Sequence, residues 1–587
     1  MEKWFIKNRQ ADYKKIAATF GISEVLARLC VNRGINSNEE LSAYLNPSIE
    51  QLHSPFLLKD IEKAVQLIIT KINDQAKIRI VGDYDVDGVM ATYILYTGLT
   101  KIGAIVDYEI PERIKDGYGI NINIIEQAKK DYIDTIITCD NGIAALEQVK
   151  RAKELNMTVI ITDHHDIAFL EEDGVRSYMV PEADAVVNPK QEDCHYPFEG
   201  ICGAVVAYKL VEALYQTLGR QKDDIEELLE FAAIATVCDV MDLVNENRAI
   251  VKFGLQKINM TKNPGLQSLL METGIADKKI SVYHLGFIIG PCINASGRLE
   301  SAKLSLSLFL TNDKAKAVSK ARQLKLLNDE RKEMTQAGLD EAIEYLEQSE
   351  HSNDKVLIVY LPNCHESLAG IIAGRVKERY HKPTIVLTDA HVGVKGSARS
   401  IEEYNMFEEL NKCKTLLLKF GGHPMAAGLS LEKVNIEPLR HLLNENTVLT
   451  EEDLLLKVSF DMVLELDQIS MPLIYEIEKL EPYGKGNNKP LFVLKDVAVV
   501  KANVLGKNKN VLKLQVTKGN RNQRYTAMIF QGVLEFEQCI IHKYSEEELQ
   551  KVYSGVSNEV LLDIVFYPDI NEFNGVQTLQ IMIQHYR

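Results

Sequence analysis

No two cysteines in this 587-residue chain have the C-x-x-C spacing of a zinc ribbon or a redox motif. The nine cysteines are scattered and odd in number, which speaks against a disulfide framework and for small buried side chains. Long apolar runs are missing too. No stretch approaches the roughly 18 residues that cross a bilayer, and the first seven residues lack the apolar core of a signal peptide. The chain therefore reads as a cytoplasmic protein without membrane contact. It has no internal repeat and no low-complexity tract. Excess positive charge is also absent. A net charge of −16 excludes a uniformly basic nucleic-acid coat and leaves room for a local basic groove.

Hydrophobic residues make up 46% of the chain and charged ones 26%, as in an ordinary globular protein. The length exceeds what one core can serve, and three or four domains are expected. From about residue 77 to 189, short β-branched runs alternate with helical spacing, the pattern of a mostly parallel sheet in an α/β fold. Ala315, Val318, Ala321 and Leu324 recur at helical spacing in a segment free of proline, which reads as a long connecting helix. A second α/β lobe starts at the run Lys355–Tyr360 and closes near Leu431. After about Leu454, short alternating strands separated by turn residues predict a closed β-barrel of OB-fold type. The expected division is an N-terminal helical segment (1–50), a catalytic α/β domain (51–300), a connecting helix (301–350), a second α/β domain (351–450) and the barrel (451–587).

Acidic residues concentrate where three of the strands end. Asp83, Asp85 and Asp87 follow the first, Asp140 follows the second, and Asp163, His164 and His165 follow the third. In an open α/β sheet the carboxyl ends of the strands share one edge, so side chains distant in sequence converge there. Gathered carboxylates repel one another unless cations compensate them. A calcium loop of the EF-hand kind is ruled out, since loop position twelve counted from Asp83 is Ile94. Carboxylate and imidazole donors without thiolate favour Mn²⁺ or Mg²⁺, in numbers sufficient for two ions about 3.5–4 Å apart. Such a pair clamps a phosphoryl oxygen and acidifies a bridging water, so the expected chemistry is phosphodiester hydrolysis.

The segments D-Y-D-V-D-G, D-N-G and D-H-H resemble those of the DHH phosphoesterase superfamily. Gly290–Leu299, Lys395–Ser400, Phe420–Gly428 and Glu481–Asn487 are similar to segments of its RecJ family of bacterial single-strand-specific DNA exonucleases, and the resemblance spans residues 50 to 587. It implies a 5′-to-3′ exonuclease for single-stranded DNA in recombination and repair. It also implies Asp85, Asp87, Asp140, His164 and Asp239 as metal ligands, with Asp140 or Asp239 bridging. Asp83 and His165 resemble further groups of the site, Asp163 a residue that orients a histidine, and Asp239 is preferred over Asp242. On the substrate side, Arg113, Arg298, Lys395 and Arg399 suit phosphate. Ser397 and the Gly421–Gly422 backbone suit the nucleotide end, His423 the scissile phosphate, and Tyr118 a base or a packing role. A helicase and a single-strand-binding protein are implied partners of a monomeric enzyme. The alternatives are a DHH phosphodiesterase for short oligonucleotides or cyclic dinucleotides, and an inactive DHH-type DNA-binding module.

Overall fold

The computed structural model describes residues 2–172, 175–519 and 523–587. It divides into two compact units, Ile49–Leu456 and a second made of Met1–Ser48 with Lys457–Arg587. Among the described residues no helix is long and apolar enough to cross a membrane.

The larger unit begins with a five-stranded sheet. Its strands are β1 (Lys77–Val81), β2 (Ile105–Glu109), β3 (Thr135–Cys139), β4 (Thr158–Thr162) and β5 (Ala185–Val187). They lie in the order β2-β1-β3-β4-β5 and all run parallel. Helices cover both faces, so β1, β3 and β4 are buried on both sides and read as apolar runs rather than alternating ones. The strand order reverses between β1 and β3, which opens a crevice at their carboxyl ends. On one face lie α1 (Val86–Lys101), α2 (Gly203–Thr217) and α3 (Leu229–Cys238), packed against each other and buried almost all round. Such helices carry no broad polar face because none meets water.

Glu230 is one of the few charged side chains buried in that helical layer, at 4% exposure. Burial, opposed by a hydrogen bond with Thr261, pushes its carboxyl from 4.5 up to about 7. Because the folded pKa lies above the unfolded one, stability is lost as pH rises from about 4.5 to 7 and stays lost above that. Glu230→Gln should therefore melt higher than the parent chain at pH 8 and no higher at pH 4. The gain at pH 8 is on the order of 3 kcal/mol. Thermal melts at the two pH values check this, and an equal shift at both would refute it.

A π-helical turn, Leu285–Ile289, leads into α4 (Gly290–Leu299). The stretch expected as one connecting helix holds two. Lys303–Leu310 stops, and α5 (Lys314–Glu347) starts anew because the Asp313 carboxylate caps the amides of Ala315 and Lys316. Ala317, Ala321 and Leu324 of α5 sit in the first core, and Ala342 and Leu346 in the next. The second lobe has β6 (Leu357–Tyr360), β7 (Thr384–Asp389), β8 (Val394–Arg399), β9 (Leu417–His423) and β10 (Ala426–Leu431), ordered β9-β10-β8-β7-β6. Only β6 and β7 pair in parallel. Helix α6 (Ala369–Tyr380) packs on this sheet.

The smaller unit is a five-stranded barrel of β11 (Phe492–Leu505), β12 (Val511–Thr517), β13 (Tyr525–Phe530), β14 (Leu561–Phe573) and β15 (Val576–Tyr586). Pairing of β11 with β14 closes it. The sequence pattern breaks into two short runs, Leu491–Leu494 and Val497–Ala502, but one strand, β11, joins them, with a bulge after Leu494 where Asp496 takes φ +54°. Asn520, in an expected turn, lies outside the described residues. The N-terminal residues are not the separate helical segment expected. Leu26, Leu29, Cys30 and Leu41 are buried in the barrel's own core, and Glu2–Ile6 is a strand paired with Leu456–Phe460.

Candidate active site

The chain leaves β1 at Val81 and turns at once into α1. Asp85 caps that helix by accepting from the Gly88 amide at 3.1 Å. The loop is tight enough that a Cβ on Gly88 would stand 2.4 Å from the Asp83 carbonyl oxygen. Glycine is the residue that this turn admits. Asp87, buried in the first turn of α1, accepts from the amides of Gly203 and Ala204 at 2.6 and 2.7 Å. These are the leading amides of α2, so the positive end of one helix fixes a carboxylate on another.

Asp140 follows β3 in the left-handed region, φ +60°, which costs a non-glycine residue about 1 kcal/mol. The neighbouring Asn141 holds the bend. Its amide group donates to the carbonyls of Val81 and Cys139 at 3.0 and 2.9 Å, and its oxygen accepts from Ile120 at 3.1 Å. Asn141 thereby ties together the ends of β1 and β3. On the other side of Asp140, a Cβ on Gly203 would lie 2.6 Å from the Asp140 Cβ.

At the end of β4, Asp163 organises its own loop. One oxygen accepts from the backbone amides of His164 and His165 and from His165 Nδ1, at 2.7, 3.1 and 2.7 Å, and the other accepts from Ile143 at 2.9 Å. His164 Nε2 lies 3.1 Å from Asp140 Oδ1, 3.5 Å from Asp87 Oδ2 and 3.7 Å from Asp239 Oδ2. Asp239 comes from the C-terminal cap of α3. Ligand atoms fall within 4.8 Å of each other in three sets: Asp140, His164 and His165; Asp87, His164 and Asp239; Asp83, Asp85 and Asp140. Among the described residues Asp242 joins none of them.

The electrostatics of the cluster are strained. Burial and the fields of Asp87, Asp85 and Asp83 push the Asp140 carboxyl well above its ordinary range. Burial and Asp85 push Asp83 up to about 8. Burial disfavours the imidazolium of His165, yet its hydrogen bond to Asp163 outweighs this and raises it to about 9. Burial lowers the pKa of His164 instead. Two buried polar atoms of the cluster, Asp83 Oδ1 and His164 Nδ1, have no hydrogen-bond partner among the described residues. Oxygen donors with imidazole, crowded, buried and partly unpartnered, fit hard divalent cations. The nearby thiols are committed elsewhere, Cys139 to Thr92 and Cys238 to the Leu285 carbonyl.

Beside the acids lies a group of cations. The Arg113 guanidinium stands 4.0 Å over the Tyr84 ring. Arg298 donates to the Ser367 carbonyl at 2.6 Å, and Arg399 donates to Ser397 Oγ and the Ala398 carbonyl at 3.2 and 2.7 Å. Burial, with Arg113, Arg331 and Arg399 close by, brings Arg298 down to about 10. Burial lowers Arg399 as well. A cleft of about 450 Å³ is lined by Arg113, Ser367, Lys395, Ser397 and Gly421, among others. Lys395 is paired there with Glu366 at 2.8 Å. Gly422 and His423 are not among its lining residues. They lie exposed at the end of β9, where His423 Nδ1 accepts from the Met425 amide. Tyr118 donates to the Asp140 carbonyl at 2.9 Å and meets His165 and Tyr84 edge-on. Sequence reasoning passed over Asn141, Gly203, Ser367 and Tyr84. Asn141 and Tyr84 had a visible signal, their places in D-N-G and D-Y-D.

Residues 77–236 match the DHH family, N-terminal domain, residues 353–448 the DHHA1 domain and residues 460–585 the RecJ OB domain. The single-stranded-DNA-specific exonuclease RecJ of Bacillus subtilis (strain 168) is 35% identical over 99% of this chain and 70% of its own length. The chain belongs to the RecJ family. A crystal structure of RecJ in complex with Mn²⁺ from Thermus thermophilus superposes with a TM-score of 0.81 at 25% identity, covering 100% of this chain and 79% of the other. A complex of RecJ with Mg²⁺ from the same organism gives 0.75 at 25% identity, over 100% and 78%. The Asp–His cluster of this RecJ-family chain thus stands in a fold whose solved relatives were crystallised with those cations.

Proposed function

We propose that the chain is a single-stranded-DNA-specific exonuclease that hydrolyses phosphodiesters from the 5′ end, in DNA recombination and repair. The observation that carries this reading is the convergence of donors from three strand ends and α3, in overlapping sets of three whose ligand atoms lie within 4.8 Å, beside arginines that no carboxylate pairs among the described residues. Asp83, Asp85, Asp87, Asp140, His164 and Asp239 hold Mn²⁺ or Mg²⁺, with donors enough for two ions. Cations bound there polarise a phosphoryl oxygen and make water a competent nucleophile near neutral pH.

The protein's own groups do the positioning. Asp163 clamps His165 beside Asp140, and Tyr118 pins the Asp140 backbone. Arg113, Arg298 and Arg399 receive the terminal phosphate through charge-assisted hydrogen bonds. Ser397 and the Gly421 backbone face the same cleft, and Gly422 and His423 extend its rim. Lys395 adds charge once phosphate competes with Glu366. A cleft of this size takes an unpaired strand, so duplex must first be opened by a helicase. Cytoplasmic location, a single-strand-binding protein on the substrate and a monomeric state complete the reading.

Digestion of one DNA strand labelled at either end tests it. With Mn²⁺, a 5′ label should leave at once as mononucleotide while a 3′ label stays on shortening strands, and blunt duplex should resist. Early release of the 3′ label, or faster hydrolysis of dinucleotides than of long strands, would overturn the reading. Arg298→Ala should raise KM for 5′-phosphorylated strands by about tenfold or more, the worth of a hydrogen bond to a charged group. Initial rates against strand concentration measure it.

A further inference from the structure

We propose that Tyr283 and Phe287 form a stacking platform for a base of the single strand, just past the scissile bond. The inference rests on the reading of the site as a strand-hydrolysing centre and adds a binding surface to it. Tyr283 is 61% and Phe287 69% exposed. Their centroids are 5.2 Å apart and their planes 26° from parallel, so two rings present one π-surface to water. Contiguous exposed apolar surface is a feature of binding sites.

Their place on the helix fits a strand. The π-turn that holds Phe287 packs on the last turn of α3: Cys238 Sγ donates to the Leu285 carbonyl at 3.5 Å, and a Cβ on Gly290 would lie 2.5 Å from the same sulfur. Asp239 is the next residue along from Cys238. Further on, Gly297 abuts the Tyr84 carbonyl of the D-Y-D loop, and Arg298 reaches Ser367. One helix therefore carries, in order, the ring pair, the contact behind Asp239, the contact to the acidic loop, and an arginine that reaches Ser367 of the cleft wall. Arg298 is eleven positions on from Phe287, a rise of roughly 16 Å. That is the reach of a few nucleotides. A strand with its 5′ phosphate at Arg298 and its scissile bond at the aspartates arrives at the rings with its next bases.

Charge selects the occupant. Lys278 and Lys279, exposed and without an ion pair among the described residues, lie five and four residues before Tyr283 in a chain of net charge −16. A polyanion with flat bases matches this surface better than an apolar protein face does. Stacking on aromatic rings is indifferent to sequence, because every base has a π-face.

The test uses the full chain with Mn²⁺ and a phosphorothioate strand, which resists hydrolysis, carrying 2-aminopurine at successive positions from the 5′ end. The fluorescence should drop on binding at one or two adjacent positions. In the double variant Tyr283→Ala/Phe287→Ala that drop should vanish and the strand should bind about tenfold more weakly. Phe287→Trp should keep it, and Phe287→Leu, which retains bulk, should lose most of it. Tyr132→Asn, 85% exposed before β3 at the opposite edge of the sheet, should behave as the parent chain. An unchanged profile and affinity in the folded double variant or in Phe287→Leu would overturn the platform. So would a variant that binds strands normally but changes its sedimentation, because the rings would then serve a protein contact. A parent chain that binds no single strand at all would instead overturn the reading of the site itself.

Discussion

Replacing Asp140 by asparagine should abolish strand hydrolysis while making the metal-free protein more stable. Asp140 belongs to two of the three donor sets and stands 3.1 Å from His164 of the other, pressed by Asp83, Asp85 and Asp87 in a buried position. Without cations its negative charge is a cost, and a neutral amide of the same shape relieves it. Catalysis moves the opposite way. Stabilisation worth several kcal/mol at the phosphoryl group is lost with the ligand, which converts to about a thousandfold in kcat. Thermal melts with and without Mn²⁺ separate the two effects. The parent chain should gain about 3 kcal/mol at a hundredfold excess of Mn²⁺ over its Kd. The variant should start higher and gain far less. Undiminished hydrolysis by Asp140→Asn would remove the acids from the chemistry altogether.

The second large effect belongs to a residue with no side chain. Gly203→Ala places a methyl group 2.6 Å from the Asp140 Cβ and 2.9 Å from its Cα, where backbone and not a flexible tip must yield. The start of α2 then has to retreat, taking with it the two amides that hold Asp87. Overpacking of this kind costs about 1–3 kcal/mol. Displacing a catalytic carboxylate by about 1 Å lowers turnover roughly a hundredfold. Urea unfolding and kcat measured together check both. Ala204→Gly, which keeps both amides and relieves nothing, should stay within about tenfold of the parent in kcat. Full activity in Gly203→Ala would mean that the α2 terminus does not set the position of Asp87.

Much of this could be read before any coordinates, for identifiable reasons. Strands β1, β3 and β4 are buried on both faces, so their apolar runs stand out, and residues after parallel strands share an edge by topology alone. The barrel declared itself by alternation. Its inserted helices Val533–Lys543 and Glu546–Ser554 did not, although Ser545 caps the second and Gly555 ends it in the left-handed region. The attachment of Leu26, Leu29 and Leu41 to the barrel is a contact across more than 400 residues, and no local pattern encodes it. Within the site, carboxylates and imidazoles advertise chemistry by type. Gly203 matters through what approaches it, and Asn141 through two strands that it joins, so neither can be weighed until both partners are in place. Lys395 suits phosphate by type, and only the structure shows it held by Glu366, a partner 29 residues away.

The helix α5 has a mechanical corollary. It runs 34 residues without proline, and its single glycine, Gly338, is held against Ile372 of the second lobe. A strut rooted in two cores resists swinging the lobes apart like a jaw. A polymer then has to be fed in by its tip and cannot be gripped from the side. Circular single strands, which offer no tip, should survive untouched in a mixture where linear ones of the same sequence disappear.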